Sequence, residues 1–229
     1  DIIGLTTPYN IYKLQVEKGK TDDKIVLDKL KSTFIDQNKL GISTGEGFYK
    51  YPNPSWQSPD FLKVPEADLS KISIKNVVVA GSGVLGFQIA VQCAYFGYKV
   101  MVYDVNDEAL SKAKNRFDVL AEEYKNYLKA DEEKIQNTKN NLTYSTDLNA
   151  SLQDADLLIE AVPESIDIKK DFWEKASEHA PEKTIFASNS STLLPSRLST
   201  FTDRPEKFIH LHFANHIMVR NTAEIMGSD

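Results

Sequence analysis

The feature that most constrains this chain is a glycine hexapeptide set between a strand signal and a helix signal. Gly81-Ser82-Gly83-Val84-Leu85-Gly86 follows the β-branched run Asn76–Ala80 and precedes the apolar stretch Phe87–Phe96, which closes at Gly97. Gly81 permits a tight turn, Gly83 lets backbone approach a pyrophosphate, and Gly86 lets the helix pack close to the strand. Ser82, Val84 and Leu85 complete a loop whose free N–H groups, at the helix N-terminus, face phosphates. The next strand signal, Lys99–Tyr103, ends in Asp104, 18 residues beyond Gly86. A carboxylate there accepts both ribose hydroxyls of an adenosine and repels a 2′-phosphate. With no arginine at 105 or 106, the expected cofactor is NAD rather than NADP.

The remainder of this region alternates strand and helix signals, as parallel strands joined by crossovers require. Asn106 caps a long helix whose Leu110, Ala113, Phe117, Leu120, Tyr124 and Leu128 recur every three or four residues. Asp131–Asn140 and Ile168–Ala180 read as further helices. Leu142–Tyr144, Asp156–Ala161, Thr184–Ala187, Phe208–Phe213 and Ala223–Met226 read as strands. The fold class is therefore α/β, a Rossmann-type doubly wound, mostly parallel sheet over residues 73–229.

Composition narrows the class further. A chain of 229 residues that is 41% hydrophobic and 10% aromatic can bury a core of that size, and its apolar runs fall far short of the ~20 residues a membrane span needs. A net charge of −6 argues against nucleic-acid or anionic-membrane partners. The single cysteine, Cys93, excludes a disulfide framework and a Cys-based zinc site. A reducing, cytoplasmic setting follows, and no metal is expected.

Residues before the sheet read differently. Pro8–Lys18 and Asp22–Gln37 are helix candidates, the second spacing Ile25, Leu27, Leu30 and Phe34 at helical intervals. Tyr51–Ser73 holds four prolines and no glycine, the composition of an extended connection with one short helix at Glu66–Lys71. The expected domains are a helical segment over 1–64, a linker over 65–72 and the dinucleotide-binding domain over 73–229. With no initiator Met at Asp1 and a strand-like run just before Asp229, the sequence reads as cut at both ends.

Chemistry-bearing side chains collect at two later strand ends, where ligands of such sheets sit. One is Ala187-Ser188-Asn189-Ser190-Ser191-Thr192; the other is His210-Leu211-His212-Phe213-Ala214-Asn215-His216. His210 and His212 share a face of their strand and differ in depth. His212 is nearer the C-terminal end and is the better acid/base candidate for a hydroxyl oxidised by NAD. Glu224 is placed to hydrogen-bond its imidazole and stabilise the imidazolium.

These segments together resemble the L-3-hydroxyacyl-CoA dehydrogenase family, particularly its short-chain 3-hydroxybutyryl-CoA members. The resemblance rests on Val79–Gly86, Ile159-Glu160-Ala161-Val162-Pro163-Glu164, Ala187-Ser188-Asn189-Ser190-Ser191 and Leu211-His212-Phe213-Ala214-Asn215. It implies an NAD-dependent oxidoreductase acting on an acyl-CoA substrate and a homodimer in the complete protein. It also implies His212 as catalytic base, Glu224 as its carboxylate partner and Ser191 near the substrate oxygen and the cofactor. Glu164 and Lys169 match positions beside the nicotinamide ribose, and Asn215 one near the nicotinamide. Lys125 or Lys129 could reach the CoA phosphates. Where the family commonly has prolines after His-Phe-x-Asn, this chain has His216 and Met218.

Asp1–Leu5 and Gly41–Tyr51 resemble the extreme C-terminus of the same family, where its helical substrate and dimerisation domain ends. The chain thus reads as running from the end of one copy into the first domain of another. Two alternatives remain open. One is a dehydrogenase of a non-CoA hydroxy acid or sugar acid, and the other is a non-catalytic NAD-binding module.

Overall fold

The structure, a computed structural model, describes residues 1–58, 73–220 and 222–227. The chain divides into two compact units, Asp1–Leu69 and Ser70–Asp229. The expected helix at Glu66–Lys71 lies outside the described residues.

In the second unit, strands β1 (Asn76–Ala80), β2 (Lys99–Tyr103), β3 (Leu142–Ser145), β4 (Leu157–Glu160), β5 (Ile185–Ser188) and β6 (Phe208–Phe213) run parallel, and β7 (Ala223–Met226) pairs antiparallel with β6. Their order is β3-β2-β1-β4-β5-β6-β7, so the strand sequence reverses beside β1. That reversal opens the crevice in which doubly wound sheets bind ligands. The Rossmann-type fold is therefore the one the strand and helix signals required.

Period-two alternation explains why β1 can be apolar throughout. Val77 and Val79 enter one core with Phe87, Ile89, Phe117 and Tyr124, while Val78 and Ala80 enter a second with Trp173, Phe186 and Phe208. The first core is covered by α3 (Val84–Tyr95), α4 (Asp107–Leu128) and α5 (Glu132–Asn140). The second lies under α6 (Leu148–Leu152), α7 (Ile166–His179) and α8 (Pro195–Leu198). Asn106 caps α4 as its sequence position implies, its side-chain oxygen accepting from Ala109 N at 2.8 Å.

The first unit carries α1 (Thr6–Glu17) and α2 (Lys24–Leu30). The single helix expected over Asp22–Gln37 is instead a 3-10 turn at Thr21–Asp23, then α2, then a widened π-type turn at Lys31–Ile35. The extra residue in that turn sets the Phe34 ring 4.6 Å from Phe48, while Ile25 is left exposed. The Asp1 carboxylate accepts hydrogen bonds from Phe48 N, Tyr49 N and the Tyr51 hydroxyl, which closes the glycine-rich segment on itself. Among the described residues no helix is long and apolar enough to cross a membrane.

Candidate active site

The glycine loop is shaped by what its residues lack. Gly81 has φ +100°, and a Cβ there would collide with the Ala161 carbonyl. A Cβ on Gly86 would strike the Gly81 carbonyl, which is the close helix–strand approach expected of it. Gly83 faces open space, with nothing within 4 Å of an added Cβ. It is also the N-cap of α3, so the helix begins at Val84 rather than at Phe87. The apolar periodicity starts a turn late because Val84 is exposed and contributes nothing to the core.

Asp104 lies directly against this loop. Its Oδ2 accepts from Ser82 N and Ser82 Oγ, both at 2.7 Å, and its Oδ1 accepts from Val105 N at 2.8 Å. Arg116, which the sequence did not single out, donates from Nη2 to the Ser82 carbonyl at 2.5 Å. A cleft of about 730 Å³ opens here, between Gly81–Gly83 and Asp104 on one side and Val162, Pro163 and Phe172 on another. The open space at Gly83, the helix N-terminus and the acid at the end of β2 fit a dinucleotide with an unmodified adenosine ribose.

The second group of side chains lies further along the same sheet edge. His212 sits opposite Glu224 in the β6–β7 ladder. That register brings His212 Nδ1 to 3.0 Å from Glu224 Oε2, while Nε2 is 3.0 Å from Ser191 Oγ. Neighbouring His210 is 1% exposed, and burial, then the Lys169 charge, hold its pKa down at about 4. His212 is the accessible member of the pair, as its position nearer the strand end suggested. Asn215 is exposed just beyond β6.

Glu164 collects the turn that carries Ser191. Its Oε1 accepts from Ser190 Oγ at 2.5 Å, Ser191 N at 3.1 Å, Thr192 N at 3.0 Å and Thr192 Oγ at 2.9 Å. Burial pushes the Glu164 carboxyl up, but these hydrogen bonds and the Lys169 charge outweigh it and bring the pKa to about 2. Lys169 itself is 1% exposed. Its ammonium lies 2.5 Å from Glu160 Oε1 and 3.2 Å from Glu164 Oε2, so it meets the site through carboxylates rather than by facing the cleft. Glu160 is fully buried at the end of β4, and that burial raises its pKa against the opposition of Lys169 and Ser188.

Sequence reasoning passed over Glu160, although an acid closing the apolar run Leu157–Ile159 was a usable signal. It named Asn189 within the serine segment without a role; its Oδ1 accepts from Phe213 N at 2.8 Å and ties the serine turn to β6. At His216, one of the two positions where the resemblance implies prolines, the structure holds a backbone that proline does not fit. His216 has φ +59° and donates its N–H to Gln88 Oε1 on α3 at 2.9 Å, neither of which a proline permits.

Residues 76–229 match the family model described as 3-hydroxyacyl-CoA dehydrogenase, NAD binding domain. The mitochondrial hydroxyacyl-coenzyme A dehydrogenase of Homo sapiens is 32% identical over 165 residues, covering 70% of this chain and 52% of the relative. This chain thus spans about half the length of the curated relatives it matches. Among solved structures, a diketoreductase described as acting on dicarbonyl compounds is 52% identical with a TM-score of 0.66, covering 68% of this chain and 56% of its own. A 3-hydroxybutyryl-CoA dehydrogenase from Escherichia coli K12 is 29% identical with a TM-score of 0.62, covering 67% and 32%.

Proposed function

The chain belongs to the 3-hydroxyacyl-CoA dehydrogenase family through its NAD-binding domain, and from that premise we propose that it transfers hydride between NAD and a short-chain 3-hydroxyacyl-CoA/3-ketoacyl-CoA pair, with His212 as general base and acid. The observation that carries this reading is the line Ser191 Oγ–His212 Nε2 and His212 Nδ1–Glu224 Oε2, both links at 3.0 Å, on the sheet edge that bears the glycine loop.

When bound, NAD supplies the hydride acceptor. The Glu224 carboxylate accepts from Nδ1–H, which fixes the imidazole tautomer and leaves the Nε2 lone pair directed at Ser191. Nε2 takes the proton of the substrate 3-hydroxyl, and Glu224 stabilises the imidazolium that forms. The Ser191 hydroxyl, released from Nε2, turns to the substrate oxygen and orients it. In the reverse direction His212 returns the proton to the 3-keto oxygen. In this reading Asn215, exposed just beyond β6, and Glu164, whose side chain is partly exposed, would meet the nicotinamide end of the cofactor. A cytoplasmic location and a homodimer of the complete protein belong to the same reading.

A second reading, a dicarbonyl reductase without a CoA requirement, is favoured by the 52% identity to the diketoreductase. The His212 chemistry is common to both. The test is NADH consumption with acetoacetyl-CoA and, in parallel, with a 1,3-dicarbonyl ester lacking CoA. The expected result is turnover of acetoacetyl-CoA, inhibited by free CoA, and its loss by ~10² to 10⁴-fold in His212→Gln. Turnover of the ester alone, insensitive to CoA, would select the second reading. Turnover of neither by a folded protein that binds NADH would leave a non-catalytic NAD-binding module.

A further inference from the structure

The charge network beneath the serine turn is more costly than its space requires. Glu160 and Lys169 are 0% and 1% exposed, and a buried ion pair gains little stability over apolar residues of the same size. What the pair does have is direction. The Lys169 ammonium touches both Glu160 Oε1 and Glu164 Oε2, so it spans the end of β4 and the segment that leads into α7. The Ser188–Thr192 turn hangs from those same two carboxylates. Glu160 Oε2 accepts from Ser188 Oγ at 2.7 Å, and Ser188 Oγ in turn accepts from Ser190 N at 3.2 Å. Glu164 Oε1 takes the Ser190 and Thr192 hydroxyls and the Ser191 and Thr192 amides.

Within that turn, the Ser188, Ser190 and Thr192 hydroxyls are all committed to the two carboxylates. Ser191 alone gives them its amide and keeps its hydroxyl for His212 Nε2. We propose that Glu160 and Lys169 are positioning residues, which lock Glu164 and the serine turn into one frame and thereby hold Ser191 Oγ against His212. The inference rests on the reading of His212 as the acid/base group, but it concerns a contact that exists without cofactor or substrate. Glu164 is only part-buried, so without the Lys169 anchor its carboxylate is free to swing and its four donors follow it.

The contact is readable by NMR in the cofactor-free protein, from long-range proton–nitrogen correlations of the His212 ring between pH 5 and 9. Ser191→Ala supplies the signature of a lost contact. Lys169→Met is expected to move the His212 Nε2 resonance and titration midpoint in the same direction as Ser191→Ala, though residue 169 does not touch His212. Lys170→Met, which removes an exposed ion pair one residue along the same helix, is expected to leave them unmoved. Should Lys169→Met fail to fold, Glu160→Gln/Lys169→Met carries the test, because it leaves no buried charge unpaired.

A folded double variant with wild-type His212 signals would overturn the proposal. So would a Lys169→Met protein that binds NADH more weakly while His212 is unmoved, since that result makes Lys169 a cofactor contact. Turnover provides a separate readout. Displacement of Ser191 is expected to lower kcat on the order of 10²-fold and reshape its pH profile. If the wild-type protein turns over no 3-ketoacyl substrate yet His212 still responds to Lys169→Met, the proposed reaction fails and the positioning role stands.

Discussion

The two ends of the site are built on opposite principles. At the glycine end, contiguous residues make a cradle by omission: Gly81, Gly83 and Gly86 leave out side chains, so that backbone is what a dinucleotide would meet there. At the chemical end, short segments far apart in the chain contribute Glu160, Glu164, Lys169, Ser191, His212 and Glu224, joined by charge and hydrogen bonds. One end is a local steric solution and the other a long-range electrostatic one. The difference teaches where damage spreads. A fault at the first end should stay in the loop, whereas a fault at the second should propagate through carboxylates shared by several donors.

Stability measurements sharpen that contrast. Lys169→Met strands the Glu160 carboxyl in the interior, and breaking a buried pair from one side costs about 3–5 kcal/mol. Urea unfolding should record a loss of that size, whereas Lys170→Met should stay within about 0.5 kcal/mol. A null result for Lys169→Met would mean the network is not under load.

The glycine end can be broken in two grades. Gly81→Ala places a side chain at φ +100° against a backbone carbonyl, so a loss of about 3 kcal/mol and of NADH binding is expected. Gly83→Ala meets no protein atom, so its unfolding free energy should hold within about 0.5 kcal/mol while NADH affinity drops. If Gly83→Ala binds NADH normally, the phosphates do not approach this backbone and the cradle is misassigned.

A smaller effect is expected from pH, through His210. Its folded-state pKa is depressed from 6.5 to about 4 by burial and then by Lys169, so between those values the unfolded chain binds the extra proton. The stability tied to neutral His210 is complete above about pH 6.5 and is lost as pH falls toward about 4. His210→Phe should flatten that part of the stability profile, as followed by denaturant midpoints at several pH values. Glu164, depressed from 4.5 to about 2, acts in a lower window, below about pH 4.5, and the His210→Phe comparison isolates the histidine's share of the profile.

Much of the frame was legible in the chain because its signals are local. Val77–Val79 reads as a buried strand since both of its faces meet a core, and Asn106 reads as a cap since capping needs only its own neighbours. Errors arose where packing overrode periodicity. The Asp22–Gln37 pattern promised one helix, but contact between Phe34 and Phe48 was met by widening a turn. His212 was legible as the exposed member of a histidine pair, and Glu224 as a candidate partner. Glu160 was legible only as an acid closing an apolar strand; its pairing with a lysine nine residues on was not, because nothing in a strand's local pattern carries it.

The sequence by itself determined the doubly wound sheet, the glycine cradle and the acid that follows it, because each depends on backbone geometry within a few turns of chain. Only the tertiary structure decided that Lys169 is buried rather than presented to the cleft, that Glu164 gathers the serine turn, and that the His216 amide meets Gln88. Those outcomes depend on which charges lose their water and which amides need an acceptor once distant strands lie side by side. Burial is a property of the assembled sheet, and no local stretch of sequence carries it.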